Sequence, residues 1–281
     1  MERIFLLILI VSLFGMLPKV TSDHTSTSRQ SSTKVVGGQE ASFGEFPYLV
    51  SVQWNFGNES KPVHFCAGTI IARDWILTAA HCRETSFETG WLEIVAGEFD
   101  LESADDGFEQ RSNVSEFLVH EKRSPGFVGP NDIALIRLQS PVQLNERVST
   151  VRLDWRKTPI SGRATLPGWG SISSTIEQIY PAKLHKVELP VFPYDVCLQY
   201  FPLFNPLEDT NFCAGEMSGT ANACHRDSGG PLIQEVDNIA TQIGIVSWGA
   251  LPCTAYRSPT VITWVAIFKE WVRMKVGELD I

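Results

Sequence analysis

Cys224-His225-Arg226-Asp227-Ser228-Gly229-Gly230-Pro231-Leu232 is the stretch on which the reading of this chain turns. Alone it is a glycine-rich loop holding a serine. Two earlier stretches give it meaning: Thr78-Ala79-Ala80-His81-Cys82 and Asn131-Asp132-Ile133-Ala134-Leu135. A serine hydroxyl is a weak nucleophile at neutral pH and needs a base within hydrogen-bond reach. An imidazole titrates near neutrality, so it can take the proton and return it to a leaving amine. A buried carboxylate fixes the imidazole tautomer and stabilises the imidazolium. A glycine-rich turn at the serine can aim backbone N–H groups at the oxyanion that develops. His81, Asp132 and Ser228, in that order, supply all three side chains.

Around these stretches the pattern from Val35 onward is all-β. Short runs rich in Val, Ile, Leu, Phe and Trp alternate with Gly, Pro, Asn and Ser clusters. Tyr48–Trp54, Thr69–Ile71, Trp91–Val95, Ile133–Leu138 and Gln242–Trp248 read as strands, and strands at this spacing suggest a barrel or sandwich. Residues 264–276 differ. Val265, Phe268, Trp271 and Val272 recur at helical spacing, which predicts a closing helix docked by that face.

Through these motifs, residues 35–281 resemble the chymotrypsin/trypsin family over their whole length. Val35-Val36-Gly37-Gly38, Gly168-Trp169-Gly170 and Ser247-Trp248-Gly249 add to the match. The resemblance implies an all-β fold of two antiparallel Greek-key six-stranded barrels with a C-terminal helix, the boundary near residue 150 and the site between the barrels. It implies a serine endopeptidase acting on protein or peptide substrates, with His81, Asp132 and Ser228 as the triad. The N–H groups of Arg226 and Ser228 would form the oxyanion hole. It also implies the pairings Cys66–Cys82, Cys197–Cys213 and Cys224–Cys253. Spacing alone leaves those pairings open, although six cysteines in an oxidising compartment suit three disulfides.

The N-terminus fits this reading. An apolar run from Ile4 to Leu17 follows Arg3 and precedes Val20-Thr21-Ser22. It is shorter than the roughly 20 residues a spanning helix needs, so residues 1–22 read as a signal peptide of a secreted, extracellular protein. Residues 23–34 are mostly Ser and Thr and cannot bury a core. They read as an activation propeptide ending at Lys34, which suits a cut by a separate trypsin-like protease. By the family resemblance, the freed ammonium of Val35 would pair with Asp227. The propeptide has no cysteine, so it would leave after the cut.

The specificity pocket follows from the resemblance by position. Asn222 takes the floor, where a trypsin-like member carries Asp. Ala223 follows it, Gly249 leaves one wall open, and Thr260 stands where large-pocket members carry Gly. Ser247, Trp248 and Gly249 would hold the substrate backbone as an added strand. The expectation is cleavage after small to medium apolar residues. One position departs from the family: Arg226 replaces a glycine. If the turn needs positive φ, Arg would be strained by about 1–2 kcal/mol. Its side chain would lean over the leaving-group side and weaken protein inhibitors. The competing function is a non-catalytic homologue acting as a binding or regulatory module.

The chain carries a formal net charge of −9, and its Lys and Arg are not clustered. That gives no basis for nucleic-acid binding, and no apolar run predicts a membrane span. A monomer is expected. The chemistry needs no cofactor. An acidic loop, 98–109, resembles the calcium loop of trypsins. Glu98, Asp100, Asp106 and Glu109 are its candidate ligands for a structural Ca2+. Asn58 and Asn113 begin N-x-S sequons.

Overall fold

The computed structural model describes residues 36–57, 61–84, 89–103, 107–123, 129–158, 160–201 and 207–278. The expected signal peptide and propeptide, including Lys34, lie outside the described residues, as do Val35, Asn58 and Asp106.

Fourteen strands are present among the described residues: β1 (Gln39–Glu40), β2 (Leu49–Asn55), β3 (Val63–Ala72), β4 (Trp75–Thr78), β5 (Trp91–Ala96), β6 (Gln110–Val119), β7 (Ala134–Leu138), β8 (Arg152–Leu153), β9 (Arg163–Gly168), β10 (His185–Phe192), β11 (Asn211–Ala214), β12 (Pro231–Val236), β13 (Ile239–Trp248) and β14 (Thr260–Trp264). The first barrel closes in the order β2-β3-β4-β7-β6-β5. Strand β5 returns by a long connection to lie beside β2, which is Greek-key wiring. The second barrel runs β9-β10-β11-β14-β13-β12 and closes where Ile233 of β12 pairs with Thr165 of β9. Strand β1 adds antiparallel to β10, and β8 adds parallel to β13.

Strand burial follows the side-chain period of two. In β10, His185, Val187, Leu189 and Val191 are buried while the residues between them are partly or fully exposed. The first core gathers Val52, Ile70, Ile76, Leu77, Ile94 and Leu135. The second gathers Leu166, Leu189, Phe212, Leu232 and Ile262. Truncating one of these to Ala would cost about 2–5 kcal/mol, because the packed surroundings collapse only partly.

The expected C-terminal helix is present, but it starts later than the helical spacing suggests. Val265, Phe268, Trp271 and Val272 are buried together with the first barrel's core, as their spacing predicts. The α-helix, however, covers only Lys269–Val276. Trp264 is still paired with Gly244 in the sheet, and Val265–Phe268 forms a tighter 3-10 turn. Sheet pairing through Trp264 keeps the helix from starting there. No described helix is long and apolar enough to cross a membrane.

Candidate active site

Three loops bring the chemistry together. His81 sits on a 3-10 turn, Ala80–Arg83, just after β4. Asp132 stands two residues before β7, and Ser228 three residues before β12. His81 and Ser228 line one cavity of about 200 Å3 with Ala223, Ser247, Trp248, Gly249 and Thr260. A larger depression of about 750 Å3, lined by Glu45, Tyr48, Arg163 and Lys186, contains none of the three.

Asp132 is fully buried and densely bonded. Its Oδ2 meets His81 Nδ1 at 2.7 Å and accepts from Ser247 Oγ. Its Oδ1 accepts from the His81 backbone N–H at 2.9 Å. Thr263 Oγ1 donates to its carbonyl at 3.0 Å. Burial pushes the carboxyl up, but the His81 charge and these hydrogen bonds outweigh it and hold Asp132 below the ordinary carboxylate range. Asp132 therefore stays ionised, and His81 Nδ1 carries the proton it donates. That leaves Nε2 as the acceptor.

The serine turn is held from several sides. Ala67 N–H donates to the Ser228 carbonyl at 2.8 Å, and Gly229 N–H to the Val246 carbonyl at 2.9 Å. Asp227 is buried, with Gly170 N–H on Oδ1 at 2.8 Å and Cys224 N–H on Oδ2 at 2.9 Å. Burial pushes its carboxyl up to about 7 against those two bonds. Gly168 and Gly170 are required here: a Cβ on either would stand about 2 Å from the Asp227 carboxylate. Val36 is buried, and Gly37 packs against the Thr220 carbonyl and Ala221.

Arg226 does adopt positive φ, +75°. Two partners offset the strain. Its guanidinium lies 3.7 Å over the Tyr180 ring, a cation–π contact. Its carbonyl meets His64 Nε2 at 3.1 Å. His64 is buried, and burial above all drives its pKa down to about 3, so it is neutral. Its tautomer follows from the chain of bonds. Gln53 Nε2 donates to Ser51 Oγ, Ser51 donates to His64 Nδ1, and His64 Nε2–H donates to Arg226. Among the described residues the N–H groups of Arg226 and Ser228 donate to no backbone carbonyl.

Asn222 is buried beneath the cavity and does not line it. Its Nδ2 donates to the carbonyls of Cys253 at 3.0 Å and Ser258 at 2.9 Å. Its Oδ1 accepts from Thr260 Oγ1 at 2.6 Å and Ala223 N–H at 3.1 Å. Thr260 and Ala223 form the surface above it. Trp248 stacks edge-on against Phe201 at 5.1 Å. All three disulfides are Cys66–Cys82, Cys197–Cys213 and Cys224–Cys253, the pairings expected.

The acidic loop is only partly assembled as an ion site. Glu98 is buried, and burial followed by the Glu109 charge pushes it up to about 7. Two carboxylates in mutual repulsion suit a cation. Yet Asp100 Oδ1 accepts from Glu102 N–H, and Glu109 pairs with Arg111 at 2.6 Å. Among the described residues these carboxylates do not gather into a three-ligand cluster.

Sequence reasoning missed the Gln53-Ser51-His64 chain, Tyr180 and Arg123. A His inside an apolar strand reads as core. A Tyr in a loop and the Lys122-Arg123 pair read as solvated surface.

The family model described as Trypsin matches residues 35–272. The chain is 34% identical to the lectizyme of Glossina austeni, over 85% of each chain. It is 32% identical to serine protease 1 of Canis lupus familiaris, over 87% of this chain and 90% of that one. It is 33% identical to trypsin-1 of Astacus astacus, over 85% and 98%. With the two closed barrels and the geometry above, these place the chain in the trypsin family of chymotrypsin-like proteases: it is a serine endopeptidase.

Proposed function

We propose that this protein is a secreted, extracellular, monomeric endopeptidase made as a zymogen, cutting after small to medium apolar residues. Ser228 attacks the peptide carbonyl, His81 Nε2 takes its proton, and Asp132 holds the imidazole. The N–H groups of Arg226 and Ser228 receive the oxyanion. An acyl-enzyme forms as the amine leaves with the proton from His81, and water then releases the acyl group.

The observation that carries the specificity is the saturated amide of Asn222 under Thr260. A P1 Lys or Arg would bury a cation against a floor with no carboxylate and no spare acceptor, which is costly. A large aromatic meets the branched Thr260. The precursor, in contrast, ends its propeptide in Lys34, so a separate trypsin-like protease activates it. Val36 is buried and Gly37 packs against the Thr220 carbonyl and Ala221, which supports pairing of the Val35 ammonium with Asp227. A Ca2+ ion at the acidic loop would relieve the repulsion between Glu98 and Glu109. Protein inhibitors, which fill the leaving-group side, bind weakly because of Arg226.

The test is to incubate the zymogen alone and with trace trypsin, then profile the product on a P1 peptide library. Ala, Val, Leu or Met at P1 after trypsin treatment only is the result expected. Efficient self-cleavage at Lys34, or dominant Lys or Arg at P1, overturns the pocket reading.

A further inference from the structure

Behind the Asp132 carboxylate lies a second cation. Arg123 follows β6 and its side chain is 2% exposed. Its Nε stands 3.6 Å from Asp132 Oδ1, and its Nη2 stands 3.4 Å from Glu84 Oε1. Neither Nε nor Nη1 has a hydrogen-bond partner among the described residues. A contact of 3.6 Å is too long for a hydrogen bond, so Arg123 acts on Asp132 through charge. A buried guanidinium is expensive unless an anion compensates it. Of its two anionic neighbours, Asp132 is fully buried, while Glu84 is 38% exposed and screened by water.

We propose that Arg123 is a positioning residue for peptide hydrolysis: a buried counter-cation that shares Asp132 with His81 and tempers the carboxylate's hold on the catalytic imidazole. This rests on the roles given above to His81 and Asp132. The two carboxylate oxygens divide the work. Oδ2 faces the His81 ring, and Oδ1 faces the His81 backbone N–H and Arg123. A positive charge on the Oδ1 side weakens the carboxylate's hold on an imidazolium. Removing that charge should tighten the hold on the imidazolium and narrow activity on the acid side. Glu84 opposes the effect of Arg123 by partly neutralising it.

Among the described residues, the neighbouring elements carry the following charges around the Asp132–Arg123 pair. On the His81 turn they are Arg83 and Glu84. On the 120–123 segment, His120 packs between Phe268 and Trp271, Glu121 pairs with Lys275, and Lys122 and Arg123 follow. The C-terminal helix adds Lys269, Glu270, Arg273 and Lys275. The serine turn adds His225, Arg226 and Asp227. Among the described residues only His81 and Arg123 form ion pairs with Asp132.

The experiment compares Arg123→Gln, Arg123→Lys and Glu84→Gln in the trypsin-cut protein. Two readouts are taken: the pH profile of kcat/KM on an amide with an apolar P1, and the NMR titration midpoint of His81 in a Ser228→Ala background. Arg123→Gln should move both the acid limb and the His81 midpoint up by about half to one pH unit. Arg123→Lys should leave them near the parent. Glu84→Gln should move them down by a few tenths, about a twofold change in the base fraction at the limb. A folded Arg123→Gln protein whose His81 midpoint stays or falls overturns the proposal. So does Glu84→Gln moving it up, which decides the matter even where Arg123→Gln does not fold. If the cut protein hydrolyses nothing, the reading of the site fails, while the His81 midpoint still judges Arg123.

Discussion

Thr260 Oγ1 donates a 2.6 Å hydrogen bond to Asn222 Oδ1, and through it the wall of the pocket caps the floor. Both amide hydrogens of Asn222 are spent on carbonyls. An aspartate there would set a carboxylate oxygen against the Cys253 and Ser258 carbonyls. Asn222→Asp is therefore expected to destabilise the protein by about 2–4 kcal/mol without conferring Lys or Arg cleavage. Thr260→Gly should instead raise kcat/KM for P1 Phe relative to P1 Ala by about tenfold or more. Urea unfolding and P1 profiling of the two variants check both. Strong tryptic activity from Asn222→Asp alone would show that the floor is not closed as described.

On the proposed reading, Arg226 should bear on inhibitors more than on small substrates. Changing it to Gly removes about 1–2 kcal/mol of positive-φ strain and also the stacking on Tyr180, worth about 0.5–2 kcal/mol, so stability should barely move. Short chromogenic amides hardly reach the leaving-group side, whereas protein inhibitors fill it. Inhibitor Ki for Arg226→Gly should fall by about a hundredfold, against a less than fivefold rise in kcat/KM. Equal changes in the two would point to a strained oxyanion hole instead.

Asp227 links stability to pH in the uncut chain. Its folded pKa, about 7, lies above the ordinary 3.8, so between those values the folded state holds a proton that the unfolded state has released. Stability should then fall as pH rises from about 4 to about 7 and level off above. Asp227→Asn should remove that slope in the precursor. In the cut enzyme the same change should cost about a hundredfold or more in activity, because on the proposed switch the Val35 ammonium would lose its partner. Thermal scans across pH and kcat/KM after activation measure the two effects. An active Asp227→Asn enzyme would count against the switch.

Calcium binding at the acidic loop, as proposed, would carry a pH signature from Glu98. Its carboxyl is raised to about 7 in the fold, chiefly by burial and then by Glu109. The cost of its charge thus appears between the ordinary carboxylate pKa and about 7. A bound cation would remove that cost, so added Ca2+ should raise Tm by about 5 °C at pH 8 and scarcely at pH 5. Glu98→Gln should abolish the gain. No shift at either pH would leave Arg111 as the counter-charge for Glu109 among the described residues.

Much of this was legible in the residues. The motifs around His81, Asp132 and Ser228 announced the family and, through it, the two barrels; the strand pattern alone pointed to a barrel or a sandwich. Positive φ at Arg226 was foreseeable because its place belongs to a glycine. The onset of the C-terminal helix was not, since sheet pairing of Trp264 with Gly244 competes with helical spacing that looks the same in sequence. Burial of Arg123 against Asp132 depends on how the segment after β6 folds beneath the His81 turn. No local pattern encodes that. Asn222 was expected to form the pocket floor; its hidden amide depends on Thr260, a residue 38 positions away that only β14 brings near.

The central claim is that Ser228 is an activated nucleophile gated by the cut at Lys34. Labelling with a fluorophosphonate probe, followed by peptide mapping, tests it directly. The account predicts a single adduct on Ser228 after trypsin cleavage, little before it, and none in His81→Ala. Absence of labelling in protein correctly cut between Lys34 and Val35 would contradict it, and would identify the chain as a protease fold without the activity.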